Sequence, residues 1–182
     1  MLVDPSLAVG ERGAPSADAV VVSHAHEDHL VAIDQLPAPV HVHEADVAAV
    51  RSFEVLLAGS GLPEEAAREF GRSLASDFHV RSRPDALAVA DGHRFELGGR
   101  TATVVHLPGH TAEHCSLLVE PDGFFYVADI DLSSLGPFHG DVGSSLADFE
   151  RSLEGCGAVE ARWYGTFHHK GVIDGRGSSV AG

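Results

Sequence analysis

The sequence predicts an α/β (α+β) fold with mixed strand pairing, and three observations predict it. Short β-branched apolar runs alternate with segments of helical period along the chain. Two stretches of period two fold back about Gly-bearing turns, which requires antiparallel pairing somewhere in the molecule. At 182 residues, 44% of them hydrophobic and 21% charged, the chain is long enough to bury one core, so a single domain over residues 1–182 is expected.

The elements follow in order. Residues 2–4 read as a short strand, and the Pro/Gly/Ser-bearing stretch 5–17 as a loop. Residues 19–22 form an apolar strand that runs directly into Ser23-His24-Ala25-His26-Glu27-Asp28-His29. A short helix is expected to follow through Leu36, stopped by Pro37 and Pro39, before a strand at 40–42. Residues 44–57 have helical period, with Val47, Val50, Val55 and Leu57 near one side and Gly59-Ser60-Gly61 as the stop. A second helix starts at Pro63, with Glu64 and Glu65 placed well against its dipole. From Ala86 the period becomes two: 94–97 and 101–107 flank Gly98-Gly99, and 116–120 and 124–128 flank Pro121-Asp122-Gly123. Residues 145–153 are helical, with Leu146, Phe149 and Leu153 spaced i, i+3, i+7. Residues 162–167 read as the last strand, and the small polar tail, 175–182, is expected to lack fixed structure. The two hairpins argue against an all-parallel sheet.

Charge narrows the partners. Twelve Lys and Arg stand against 27 Asp and Glu, a net −15 that repels phosphate backbones and anionic membranes. A small-molecule substrate is therefore expected rather than nucleic acid. No run approaches the roughly 20 apolar residues of a membrane span, and the first residues lack the basic start and apolar run of a secretory signal, so a cytoplasmic location is expected. Cys115 and Cys156 have no spacing that suggests a disulfide framework or a CxxC metal knot and are read as reduced thiols. Gly-x-Ser-x-Gly, Walker-type loops and Gly-x-Gly-x-x-Gly are all absent, which removes the common serine-hydrolase and nucleotide motifs.

The chemistry concentrates in the segment after the second strand. Alternate side chains of an extended segment share a face, so His24, His26 and Asp28 are expected to converge while His29 points elsewhere. Two imidazoles and a carboxylate at a strand end suit a borderline cation such as zinc. The adjacent carboxylate and histidine are placed to serve a second ion.

Ser23-His24-Ala25-His26-Glu27-Asp28-His29 resembles the His-x-His-x-Asp-His signature of the metallo-β-lactamase superfamily. Leu107-Pro108-Gly109-His110-Thr111 resembles that family's Pro-Gly-His-Thr element, Tyr126-Val127-Ala128-Asp129 the strand carrying its bridging aspartate, and Phe167-His168-His169 the delivery of its final histidine. The resemblance covers about residues 2–173. It implies a four-layer αβ/βα sandwich of two mixed sheets flanked by helices, and a chain short at both ends relative to the family. It also implies two ions, zinc by default with iron or manganese as alternatives: one held by His24, His26 and His110, the other by Asp28, His29 and His168, with Asp129 bridging. Asp28 is also the candidate catalytic residue, orienting the attacking water. For the final ligand, counting from the strand end favours His168, and the spacing to Gly171-Val172-Ile173 allows His169. Asp131 is read as a solvated loop carboxylate.

Of the remaining histidines, His41 and His43 share one face of a strand and are read as structural or supporting. His106 is read as a strand residue, and His79 and His93 as loop residues. His114, four residues after His110, is a candidate supporting group or substrate contact, and His139 a candidate pocket residue in a Gly/Pro loop. The expected activity is metal-dependent hydrolysis of a small ester, thioester, lactone or related acyl bond. The alternatives are an iron-dependent oxidoreductase on the same scaffold, then a phosphodiesterase or β-lactamase. Specificity resides in loops, for which residues 51–83 are the candidate segment.

Overall fold

A computed structural model describes residues 1–13, 15–130, 141–168 and 170–175. The chain divides into two compact units, Met1–Val89 and Ala90–Gly182, each with its own sheet. The fold is mixed α/β, with two sheets and helices.

In the first unit, strands β1 (Leu2–Val3), β2 (Val20–Val22), β3 (Val40–His43) and β4 (Leu87–Val89) lie in that order and pair in parallel throughout. The expectation of antiparallel pairing is met in the other sheet, where both hairpins lie. Val20, Val21 and Val22 are all fully buried, as an unbroken β-branched run in a parallel sheet requires. Val20, Val22, Val40 and Val42 form one core cluster with Leu30, Ile33, Val50 and Leu74.

Three readings of this half change. Residues within the expected 5–17 loop form helix α1 (Leu7–Arg12). The expected helix through Leu36 is two 3-10 turns, Glu27–His29 and Ile33–Gln35. The helix expected over 44–57 is two helices, α2 (Val47–Arg51) and α3 (Phe53–Gly59), because Ser52 is extended and its hydroxyl accepts the Val55 amide to start the second. The change of axis leaves Val55 exposed while Leu56 and Leu57 pack against the core. Helix α4 (Glu64–Ser76) follows, with Pro63 as its N-cap.

One buried cation anchors this unit. The Arg83 guanidinium donates to the carbonyls of Ile33, Leu36 (3.0 Å) and Ala38 (3.0 Å), and its Nε to Asp85 (2.7 Å). Those carbonyls belong to the irregular stretch after the histidine-rich turn, where Ile33 O also takes a long bond from the Leu36 amide (3.4 Å). Arg83→Met, similar in length but without donors, is expected to lower the unfolding free energy by about 2–4 kcal/mol, because the buried carbonyls of Leu36 and Ala38 lose this donor and Ile33 O keeps only its long bond from the Leu36 amide. A shift of the urea midpoint at unchanged slope measures this; a loss below about 0.5 kcal/mol, the scale of a neutral surface change, would refute the anchoring role.

The second unit has strands β5 (Arg94–Glu96), β6 (Thr101–His106), β7 (Cys115–Glu120), β8 (Phe124–Ala128), β9 (Trp163–Thr166) and β10 (Val172–Asp174), lying side by side from β10 to β5 in reverse sequence order. All pairs are antiparallel except β8 with β9, and a parallel pair needs a crossover, here containing helix α5 (Leu146–Ala158). Ser145 caps α5 by accepting the Asp148 amide (3.3 Å). Phe149 is buried with Leu107, Phe125, Val127 and Ile130, whereas Leu146, expected on the same apolar face, is 48% exposed in the first turn. β9 is not the last strand: Gly171, at φ +65, turns the chain back into β10.

Candidate metal centre

The first unit carries one set of donors at the carboxyl end of β2, the edge where parallel sheets place ligands. His26 is extended, but the chain then winds into the Glu27–His29 turn, with the His29 amide donating to His26 O (3.1 Å). The expectation that His29 points away from His24 is therefore corrected: the turn folds it back, and the two rings lie 4.1 Å apart. His24 Nε2 and His26 Nδ1 approach to 3.0 Å, close to the about 3.3 Å separating two nitrogens bound at about 2.0 Å to one tetrahedral ion. Asp28 Oδ1 lies 3.8 Å from His29 Nε2.

Each of the two buried rings has its other nitrogen held. His24 Nδ1 lies 3.0 Å from Ser23 Oγ, and His29 Nδ1 lies 3.1 Å from Asp4 Oδ2. A carboxylate on Nδ1 fixes the Nδ1–H tautomer, so His29 presents the lone pair of Nε2 beside Asp28. Asp4 also accepts the Ser23 amide (2.7 Å), and Asp46 accepts the Ala25 amide (2.8 Å), so two carboxylates tie down the backbone between the histidines. Asp4 does this from φ +45, a conformation sparsely populated by non-glycine residues and found where surroundings enforce it. Neither carboxylate was singled out in the sequence. For Asp4 the available signal was an aspartate closing a strand that must pair beside the motif-bearing one.

The second unit carries another set. His110 sits in the turn after β6, whose three successive carbonyls are all engaged: Ser152 Oγ donates to Pro108 O (2.6 Å), Ser145 N to Gly109 O (2.9 Å) and Ser144 Oγ to His110 O (2.7 Å). Asp129 follows β8, and its Oδ2 lies 3.5 Å from His110 Nε2 and 3.2 Å from His168 Nε2. His110 and the Asp129 carboxylate are largely buried, while His168 is 43% exposed. His114 is fully buried. His139, His169 and Asp131 lie outside the described residues.

His41 and His43 are on β3, half-buried and buried; His106 ends β6 with its Nε2 2.9 Å from Ala112 O; the His93 and Phe95 rings meet edge to face. Cys115 is buried, and burial pushes the Cys156 thiol up to about 12, so Cys156 stays protonated and non-nucleophilic at neutral pH. Among the described residues no helix is long and apolar enough to cross a membrane.

The donors are therefore imidazole nitrogens and carboxylate oxygens, with rings steered by hydroxyl, carboxylate and main-chain partners. That chemistry fits zinc or iron and lacks the thiolates of a structural zinc knot.

The chain matches the family model described as a beta-lactamase superfamily domain over residues 1–176. Among solved structures it resembles the metallo-beta-lactamase family protein TTHA1429 from Thermus thermophilus, at 24% identity and TM-score 0.70, covering 94% of this chain and 65% of that one. It also resembles the metallo-beta-lactamase superfamily protein ST1585 from Sulfolobus tokodaii, at 17% identity and TM-score 0.67, over 94% of this chain and 70% of that one. TTHA1623, solved in a di-iron-bound form, matches at 19% identity and TM-score 0.64, over 94% of this chain and 82% of that one. The chain thus spans slightly less than two thirds of the length of TTHA1429. No curated protein matches significantly in sequence. With the family model matched from residue 1 to residue 176 and the sheets and helices of its structural neighbours, the chain belongs to the metallo-β-lactamase superfamily.

Proposed function

We propose that this protein is a metal-dependent hydrolase with two ions, zinc by default, that cleaves a small ester, thioester, lactone or related acyl bond. In this reading His24, His26 and His110 hold one ion, Asp28, His29 and His168 the other, and Asp129 is shared. The observation that carries it is the setting of Asp129: one carboxylate oxygen stands within 3.5 Å of both His110 Nε2 and His168 Nε2, one histidine from each ligand group. A lone ligand needs no such double approach.

When bound, such an ion pair lowers the pKa of a water and polarises the acyl oxygen. The chain's own groups do the rest. Ser23 and Asp4 keep the His24 and His29 rings in orientation, so little reorganisation accompanies the reaction. Asp28, with its side chain 30% exposed, can accept a hydrogen bond from the attacking water and aim it. The acidic surface favours neutral or cationic acyl substrates over polyanions.

The test is elemental analysis of purified protein together with a panel of thioester, lactone, phosphodiester and β-lactam substrates. About two equivalents of zinc and chelator-sensitive turnover confined to acyl substrates are expected. A fully metal-loaded protein that hydrolyses none of the acyl substrates would overturn the reading. The di-iron form of TTHA1623 supports a second one, an iron-dependent oxidoreductase on the same donors. Bound iron with visible absorbance and no ester hydrolysis selects it.

A further inference from the structure

His114 is buried, and both of its ring nitrogens meet main-chain groups. Nδ1 lies 3.1 Å from the carbonyl of Leu107, which can only accept, so the proton is on Nδ1. Nε2 is then the acceptor for the amide of Asp129, 3.3 Å away. The ring is therefore a neutral imidazole with a fixed tautomer.

The two partners are the residues from which the second unit's donors depart. Leu107 directly precedes Pro108-Gly109-His110, and its amide also donates to His114 O (2.9 Å). Main chain and side chain of His114 together close residues 107–114 into a loop with His110 inside it, the two rings meeting edge to face at 5.9 Å. Asp129 follows Ala128, whose φ of +48 swings the chain off the line of β8 where the pairing with β9 slips register. A left-handed alanine costs about 1–2 kcal/mol. It persists where neighbouring bonds over-determine it, here Phe167 N to Ala128 O (3.1 Å), Ile130 N to Val127 O (3.0 Å) and the Asp129 amide on the imidazole.

We propose that His114 is a positioning residue that sets His110 and Asp129 relative to one another, acting through the backbone of both rather than touching ion or substrate. This rests on the reading of His110 and Asp129 as metal ligands. A histidine serving merely as core filling would affect stability and nothing else, whereas a bracket between two ligand-bearing turns controls how well an ion is held, on the 10–100-fold scale of partners that steer ligands.

Cobalt(II) is the probe, titrated into the metal-stripped full chain against a chelator, with the visible absorption of the bound ion recorded. His114→Leu removes both hydrogen bonds. His114→Gln keeps one donor and one acceptor at nearly the imidazole's reach, and His114→Asn has the same groups one methylene shorter. The expected result is at least tenfold weaker binding and an altered spectrum for His114→Leu, with most of the wild-type affinity and spectrum recovered in His114→Gln. Wild-type affinity and spectrum in His114→Leu, folded by circular dichroism, overturn the proposal and leave the metal-centre reading standing. If His114→Leu does not fold, the Gln and Asn variants decide: superior binding by Gln supports the bracket, and equal binding overturns it. Absence of cobalt binding by the wild-type chain overturns both the metal-centre reading and this proposal.

Discussion

His24→Ala is expected to lower the metal content from about two equivalents to one or less and to cut kcat/KM for the responsive substrate by about 10³-fold or more, the scale of several kcal/mol of Lewis-acid stabilisation. The size follows from position. His24 is fully buried, its Nε2 stands 3.0 Å from His26 Nδ1, its Nδ1 is held by Ser23, and its ring packs on His29. Alanine thus removes one donor and the surface against which a second donor's ring rests, so the damage extends to His29. A change this deep also loosens packing, and the measurement must separate the two effects. Metal-stripped wild type and metal-stripped His24→Ala compared by thermal unfolding give the packing loss alone, and metal content by elemental analysis gives the binding loss. His41→Ala, a half-buried histidine on β3 outside the donor set, is the control and should retain both ions. Unchanged stoichiometry with activity within tenfold of wild type in His24→Ala would remove His24 from the centre.

What could be read in the sequence, and what could not, follows the range of the interaction concerned. The Val20-Val21-Val22 run was legible because an unbroken β-branched run is itself the pattern of a buried parallel strand, whereas the His24-to-His29 segment was legible as a cluster of side chains but not in the turn that brings His29 back to His24. Both hairpins were legible because strand, turn and strand are contiguous. Short elements were less so: α1, at six residues with a glycine inside, is below the length at which a helix declares itself without tertiary support, and β10 is three residues paired across a glycine turn. The break at Ser52 was hidden because the hydrophobic period continues on both sides of it and only the backbone dihedral changes. Asp4 and Asp46 illustrate the hardest class. Each is an ordinary acidic residue by its neighbours, and its role comes from accepting an amide about 20 positions away at Ser23 and Ala25. His114 is intermediate: its spacing from His110 made it a candidate, but whether it faced a substrate or the backbone depended on how β7 starts.

Gly109→Ala is expected to cost about 3–5 kcal/mol of stability together with the ability to hold metal. A Cβ at this position would lie 2.2 Å from the amide nitrogen and 2.3 Å from Cα of Phe149, both backbone atoms of α5 and so unable to turn aside. The φ of +133 adds a conformational cost that glycine alone avoids. To admit the methyl, the turn must lift off the helix, and in lifting it gives up the bonds from Ser145 N to Gly109 O, from Ser152 Oγ to Pro108 O and from Ser144 Oγ to His110 O. The same contacts that set stability therefore set the position of His110, so folding and metal affinity should fall together. Gly99→Ala separates the contributions. Gly99 has φ +95 with open space where a Cβ would lie, so its substitution carries a backbone cost without a clash. A markedly lower urea midpoint is expected for Gly109→Ala than for Gly99→Ala because only the former meets Phe149, and cobalt affinity should fall in Gly109→Ala and stay at the wild-type level in Gly99→Ala. Equal destabilisation by both would mean that the turn does not bear on α5. Destabilisation of Gly109→Ala with unaltered cobalt binding would mean that it bears on the helix without setting His110, and the helix would then be a support for the fold and not for the metal centre.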